Sequence, residues 1–280
     1  TISKGSPQTF DVQLNMMLGQ NASDAMSVKT RGLYLHGDLP FFATYRFSET
    51  NHGEILTSKG KAGIGTKFYA VYAPLMNNTS TLNFTCGILA TEDNTQIKVS
   101  GYEMTTWFYN NFNGLTHPTI TITLNKGQSY IFAGYANKPG NKDGFIGAKI
   151  EATKPVSITN GNFRGQFGLT PPYNGEDIIM DQSVPVERLG NEFVLIKGMG
   201  NLLPEIEGAI IVATENNTEI KLNNNPVPVA TLNEGEYYRV SAMNYIVNGP
   251  SHLNMYIKSS KNVYVYQLLG GVEGGTSPQA

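Results

Sequence analysis

Charge is scarce in this chain of 280 residues. Lys and Arg number 20 and Asp and Glu 22, 15% in all, for a net charge of −2 and no basic stripe. Soluble domains carry about 25% charged residues. A nucleic-acid-binding face or a membrane-surface helix is thereby excluded. Cysteine is down to one, Cys86, so no internal disulfide forms. That rules out a disulfide-stapled scaffold and leaves a bacterial surface protein or a cytosolic one open. Apolar runs such as residues 209–213 fall far short of a membrane span, which needs about 20. No basic segment followed by an apolar stretch opens the chain at Thr1, which reads as a mature chain or a fragment of a longer one. Helical periodicity is missing too, the nearest candidate, 24–29, being too short to count.

Catalytic signatures are equally sparse. None of the four histidines, His36, His52, His117 and His252, has a second ligand-type residue at metal-binding spacing. Each reads as a strand-end or loop residue. There is no GxSxG elbow. GKAGIGTK at 60–67 places Gly-Thr-Lys where a phosphate loop has Gly-Lys-Ser/Thr, and no helical pattern follows it. It reads as an inter-strand loop. Cys86, between Phe84 and Ile88 in an alternating pattern, reads as a small buried residue.

What the chain does have is 30 Gly, 28 Asn and 25 Thr beside a 40% apolar fraction. Gly and Asn supply turn conformations and Thr is β-branched, so the mixture favours strands and turns over helices. Alternation of period two recurs at 67–72, 96–99, 119–124, 129–132, 156–158 and 262–266. Gly-, Asn- and Pro-rich turns separate these runs. The pattern predicts an all-β protein built of antiparallel sandwiches.

The sequence also repeats. ATEDNTQIK at 90–98 matches ATENNTEIK at 213–221 in seven of nine positions, and TLNKGQSY at 123–130 matches TLNEGEYY at 231–238 in five of eight. KPVSI at 154–158 parallels KNVYV at 261–265, and GTKF at 65–68 parallels GNEF at 190–193. Four blocks in one order predict two tandem β-sandwich domains (jelly-roll or Ig-like), copy one at 1–165 and copy two at 166–280, with the boundary in the loop-rich stretch 165–190. A third relative of the Lys-Pro-Val strand is expected at 38–45, in an N-terminal hairpin of about 27–48 that completes the first sandwich. The repeated TEDNT and TENNT segments read as polar turns, and LNKG and LNEG as hairpin turns with Gly where φ is positive.

The motifs GILATEDNT (87–95), LNKGQSY (124–130), GAKIEATKPVSITNGN (147–162), DQSVP (181–185) and LGNEF (189–193), in this order, resemble the IgGFc-binding protein N-terminal domain family. The resemblance covers roughly residues 65–270. It implies an extracellular, β-rich adhesion or recognition module without catalytic activity. Bacterial members occur in large secreted proteins of Bacteroidetes, often with type IX secretion or gliding-motility C-terminal domains. Vertebrate relatives carry cysteines able to pair, whereas this chain has Cys86 alone, which fits a bacterial surface protein rather than immunoglobulin binding.

Two clusters are candidates for function. Copy one carries 15 extra residues between Lys98 and Thr123, and they hold the only tryptophan, Trp107, with Phe108, Tyr109 and Phe112. Aromatics on a loop held by a rigid sandwich present flat apolar surface to a glycan or a protein; the competing reading buries them against the sheet. Glu176, Asp177 and Asp181 lie within six positions. They read as hard oxygens for calcium, as a solvated loop, or as a glycosidase pair. A second aromatic group, Phe163, Phe167 and Tyr173, is expected to pack between the domains, and five Asn-x-Ser/Thr sequons, the first at Asn21, follow from composition. The function expected is binding of an extracellular glycan or protein by one segment of a longer surface protein, with neighbouring domains, no nucleic acid and no required cofactor. A ligand-free stalk spacer and a carbohydrate-active enzyme are the alternatives.

Overall fold

The computed structural model describes residues 2–13, 22–49, 52–168, 176–200, 205–250, 252–270 and 278–279. Tyr173 and the sequon at Asn21 lie outside the described residues. The protein is all β. A hairpin of β1 (Thr44–Glu49) and β2 (His52–Thr57) precedes two larger sheets. The first has seven strands: β3 (Ile64–Tyr69), β4 (Asn83–Ala90), β5 (Thr95–Ser100), β6 (Thr119–Leu124), β7 (Ser129–Tyr135), β8 (Lys149–Gly165) and β9 (Asp177–Gln182). The second has eight: β10 (Gly190–Ile196), β11 (Gly208–Ala213), β12 (Thr218–Leu222), β13 (Ala230–Leu232), β14 (Tyr237–Ser241), β15 (Ile246–Val247), β16 (Leu253–Gly270) and β17 (Pro278–Gln279).

The first sheet is ordered β6-β5-β8-β4-β7 with β3 and β9 also on β8. The second is ordered β13-β12-β16-β11-β14 with β10, β15 and β17 on β16. Matching β8 to β16 and the others in turn, the two orders coincide, with β15 extra. The repeat in the sequence is therefore a repeat of topology.

The short strands expected at 156–158 and 262–266 are the middles of much longer ones. β8 spans 17 residues. Along one edge it pairs with β3 and then β9, and along the other with β5 and then β4. The hand-over from β5 to β4 falls across residues 153–155, between partners Ala152 and Val156. Proline there, at Pro155, has no N–H to lose from a ladder. One strand thus pairs with two others in turn along each edge.

The recurring blocks are latched to each other. Asn94 and Asn217 both take left-handed backbone, with φ 53° and 56°. The next residue, Thr95 or Thr218, donates its hydroxyl to Glu92 O or Glu215 O at 2.7 Å. Lys154 Nζ donates to Asp93 O at 2.7 Å, and Lys261 Nζ to Asn216 O at 2.6 Å. In the neighbouring turn Asn125 Oδ1 accepts from Asn94 N–H and Asn233 Oδ1 from Asn217 N–H. The motifs recur together because the Lys of one strand and the Asn of one turn satisfy the backbone of the other turn.

The long apolar run of the sequence is explained by β11, whose six positions are all buried. Ala209, Ile211 and Ala213 pack into the core of the second sheet. Ile210 and Val212 point the other way, into the larger core of the first sheet, joined there by Tyr264, Tyr266 and Leu268 of β16. A strand buried on both faces loses its alternation. Phe167, expected between the domains, is fully buried in that shared core with the Arg239 guanidinium 3.8 Å above its ring.

The N-terminal expectation is corrected. Residues 25–31 lie along β7, and no strand covers 32–43, where Gly37 and Pro40 interrupt the alternation. Only the last two residues of the 38–45 stretch enter a strand, β1. The hairpin is β1–β2, and its Phe47 packs on Ile178 and Met180 of β9. A cut at 165/166 separates β8 from β9, which pair. We propose that the two units meet at the far end of the 165–190 stretch, between Gln182 and Gly190.

Candidate binding surface

The 15-residue insertion joins β5 to β6 and is held by specific bonds. Asn110 and Asn111 both adopt left-handed backbone, φ 56° and 64°, a conformation that Asn tolerates better than most residues. The turn they make lets Phe108 N–H donate to Phe112 O at 2.8 Å. Behind it sits Asn141, fully buried. Its Oδ1 accepts from Trp107 N–H at 2.7 Å, and its Nδ2 donates to Trp107 O at 2.7 Å and to Tyr135 O at 2.9 Å. One amide therefore fixes both backbone groups of Trp107. The strand behind can approach this closely because it carries glycine: a Cβ on Gly134 would stand 2.3 Å from Trp107 O.

The four aromatics named in the sequence divide. Phe108 is a core residue, edge-on to Phe84 at 6.0 Å, Phe132 at 5.8 Å and Phe145 at 5.3 Å. Tyr109 is half-buried against Tyr135, with ring centres 4.3 Å apart. Phe112 lies on the His117 ring at 4.8 Å. Trp107 stays 39% exposed, with Lys138 Nζ 4.9 Å from its ring centre. The loop also exposes Met104 at 67% and Leu115 at 72%. The backbone of Gly114 lies directly against that of Glu103 and Met104. Met104 and Leu115 escape a reading that looks for aromatics, although both stand in the same insertion.

The acidic cluster does not converge. Glu176 Oε2 pairs with Arg164 Nε at 2.8 Å, Asp177 Oδ1 faces His52 Nδ1 at 3.5 Å, and Asp181 Oδ2 pairs with Lys59 Nζ at 2.7 Å. Asp177 and Asp181 share strand β9, where four residues put their Cα atoms about 13 Å apart. Among the described residues no group of three or more His, Cys, Asp or Glu gathers as a metal site. Cys86 is fully buried, and burial pushes its thiol up to about 12, which makes it unreactive at neutral pH. No helix among the described residues is long and apolar enough to cross a membrane.

The family model for IgGFc binding protein matches residues 54–279. The chain belongs to the IgGFc binding protein family. The matched stretch takes in both large sheets and the insertion. No curated protein and no solved structure matches the chain.

Proposed function

We propose that this chain is a non-catalytic recognition module of a larger secreted bacterial surface protein, binding an extracellular glycan or protein through the 101–118 insertion. The family is one of binding proteins, which supports the class of function. The observation that carries the reading is Trp107: its main chain is clamped by Asn141 while its ring, Met104 and Leu115 face solvent. Large apolar side chains exposed on a loop whose backbone is held in place are available for contact with a ligand. A preset backbone also lowers the ordering cost of binding. The separation of Glu176, Asp177 and Asp181 onto three different basic partners supports a binding role over glycoside cleavage. The test is a printed glycan array and a panel of immobilised extracellular proteins, immunoglobulin G included. The wild type is expected to bind at least one of them, and a Trp107→Ala/Leu115→Ser variant of equal thermal stability to lose that binding. Binding retained by the variant would move the site elsewhere, and no binding by either would favour a stalk spacer.

A further inference from the structure

β7 and β14 hold the same place in their sheets, each pairing along one edge with the second strand of its unit, β4 or β11. The other edge of β7 is covered by the N-terminal segment. Met26 N–H donates to Ile131 O at 2.8 Å, Ser129 N–H to Lys29 O at 2.7 Å and Lys29 N–H to Ser129 O at 2.9 Å, an antiparallel addition. The aligned blocks set Tyr237 where Ser129 stands and Arg239 where Ile131 stands. Among the described residues, β14 has β11 as its strand partner, and no main-chain bond reaches Tyr237 or Arg239 from the outer side. An edge with open N–H and C=O groups is a template for one more strand.

Charge indicates what that strand carries. At the start of β14 lies a cleft of about 400 Å³ between the two units, walled by Glu103 and Asp143 on one side and Glu234, Glu236 and Tyr237 on the other. Lys149 and Lys67 neutralise Glu234, at 3.0 and 3.9 Å. Glu103, Asp143 and Glu236 accept hydrogen bonds from Thr105, Tyr237 and the Asn233 N–H, but none has a basic group within 4.0 Å among the described residues. The segment covering β7 carries Lys29 and Arg31 at this point, where both pair with Asp24 of the same segment, at 3.4 and 3.2 Å; the cleft beside β14 offers its carboxylates in place of Asp24.

We propose that the outer edge of β14 binds an extended, basic peptide segment of a partner protein, added as an antiparallel strand with a Lys or Arg side chain in the Glu103–Asp143–Glu236 cleft. The cleft touches the same insertion through Glu103, but the proposal uses none of Trp107, Met104 and Leu115 and stands without them. The probe is a fluorescent peptide with the sequence of residues 25–35, AMSVKTRGLYL, against the whole chain, compared with the same peptide carrying Glu in place of Lys and Arg. The basic peptide is expected to bind and to slow amide exchange at Tyr237 and Arg239. A Glu103→Gln/Asp143→Asn/Glu236→Gln variant keeps acceptors for the three hydrogen bonds and is expected to weaken binding about tenfold or more, as is salt near 0.5 M. Equal binding of both peptides, equal binding by the triple variant, or no slowing of exchange in β14 would overturn the proposal. Self-association of the chain with the same protected amides would make the occupant a second copy and would also overturn it.

Discussion

Replacing Asn141 by Ala removes the part that holds the candidate binding loop. Three hydrogen bonds disappear, those to Trp107 N–H, Trp107 O and Tyr135 O. The three backbone groups stay where they are, behind a loop that shields them. A buried polar group left without a partner costs about 1–3 kcal/mol. Tyr135 O keeps the Lys138 N–H at 3.4 Å, so the two Trp107 groups set the expected loss at about 2–6 kcal/mol. Trp107 is the only tryptophan, so its emission reports this loop and nothing else. In urea, the variant is expected to show a tryptophan transition at lower concentration than the wild type. At zero denaturant its emission shifts to the red as the ring leaves Lys138. Asn141→Asp, which keeps an acceptor for Trp107 N–H but sets a buried carboxylate oxygen against Trp107 O and Tyr135 O, is expected to lose at least as much. A loss below about 1 kcal/mol with unchanged emission would refute the clamp.

Phe108→Ala should cost about 3–5 kcal/mol in chemical denaturation, because the ring is packed on four other aromatics, whereas Trp107→Ala should stay within about 1 kcal/mol. Gly147→Ala should destabilise the join of the units strongly, since φ is +78° and the new Cβ would stand 1.7 Å from Gly235 O; Gly127→Ala, at the same φ with open space around it, should cost about 1 kcal/mol. Glu207→Ala should lower thermal stability markedly, as its buried carboxylate accepts from Gly198, Gly200 and Gly270 N–H at 2.6–2.9 Å. Acid should loosen the same join: the Tyr69 hydroxyl and then Lys149 hold the Glu234 carboxyl below its ordinary value. A depressed carboxyl contributes stability above its unfolded value near 4.5 and loses it as pH falls through the lower folded value. A Glu234→Gln variant should therefore show a weaker fall in melting temperature below pH 4.5 than the wild type. Cys86 should resist thiol reagents at pH 8 until the protein unfolds.

Much of the fold was legible because both of its signals are local. β6 matches the alternating run at 119–124 residue for residue, and the paired Asn-Thr turns announce the repeat. Long-range choices were less visible. Nothing local tells that Lys149–Gly165 is one strand pairing with four others, since its partners lie up to nearly a hundred residues away. The alternation at 38–45 misled because an extended, apolar segment looks like a strand until a partner is found, and Leu39 and Phe42 instead remain exposed at 79% and 77%. Of the aromatic cluster, proximity in sequence gave the loop but not the facing: Trp107 and Phe108 are neighbours, and neighbours in extended chain point opposite ways. Asp177 and Asp181 share β9 but stand about 13 Å apart, and Glu176, Asp177 and Asp181 each face a different partner.

The most direct measurement is the emission of Trp107 while the chain is titrated with whichever glycan or protein it captures. Loop-borne recognition predicts a saturable change in emission and reduced quenching by acrylamide, both abolished by Leu115→Ser at unchanged stability. Saturable binding that leaves the tryptophan spectrum and its quenching untouched would contradict it.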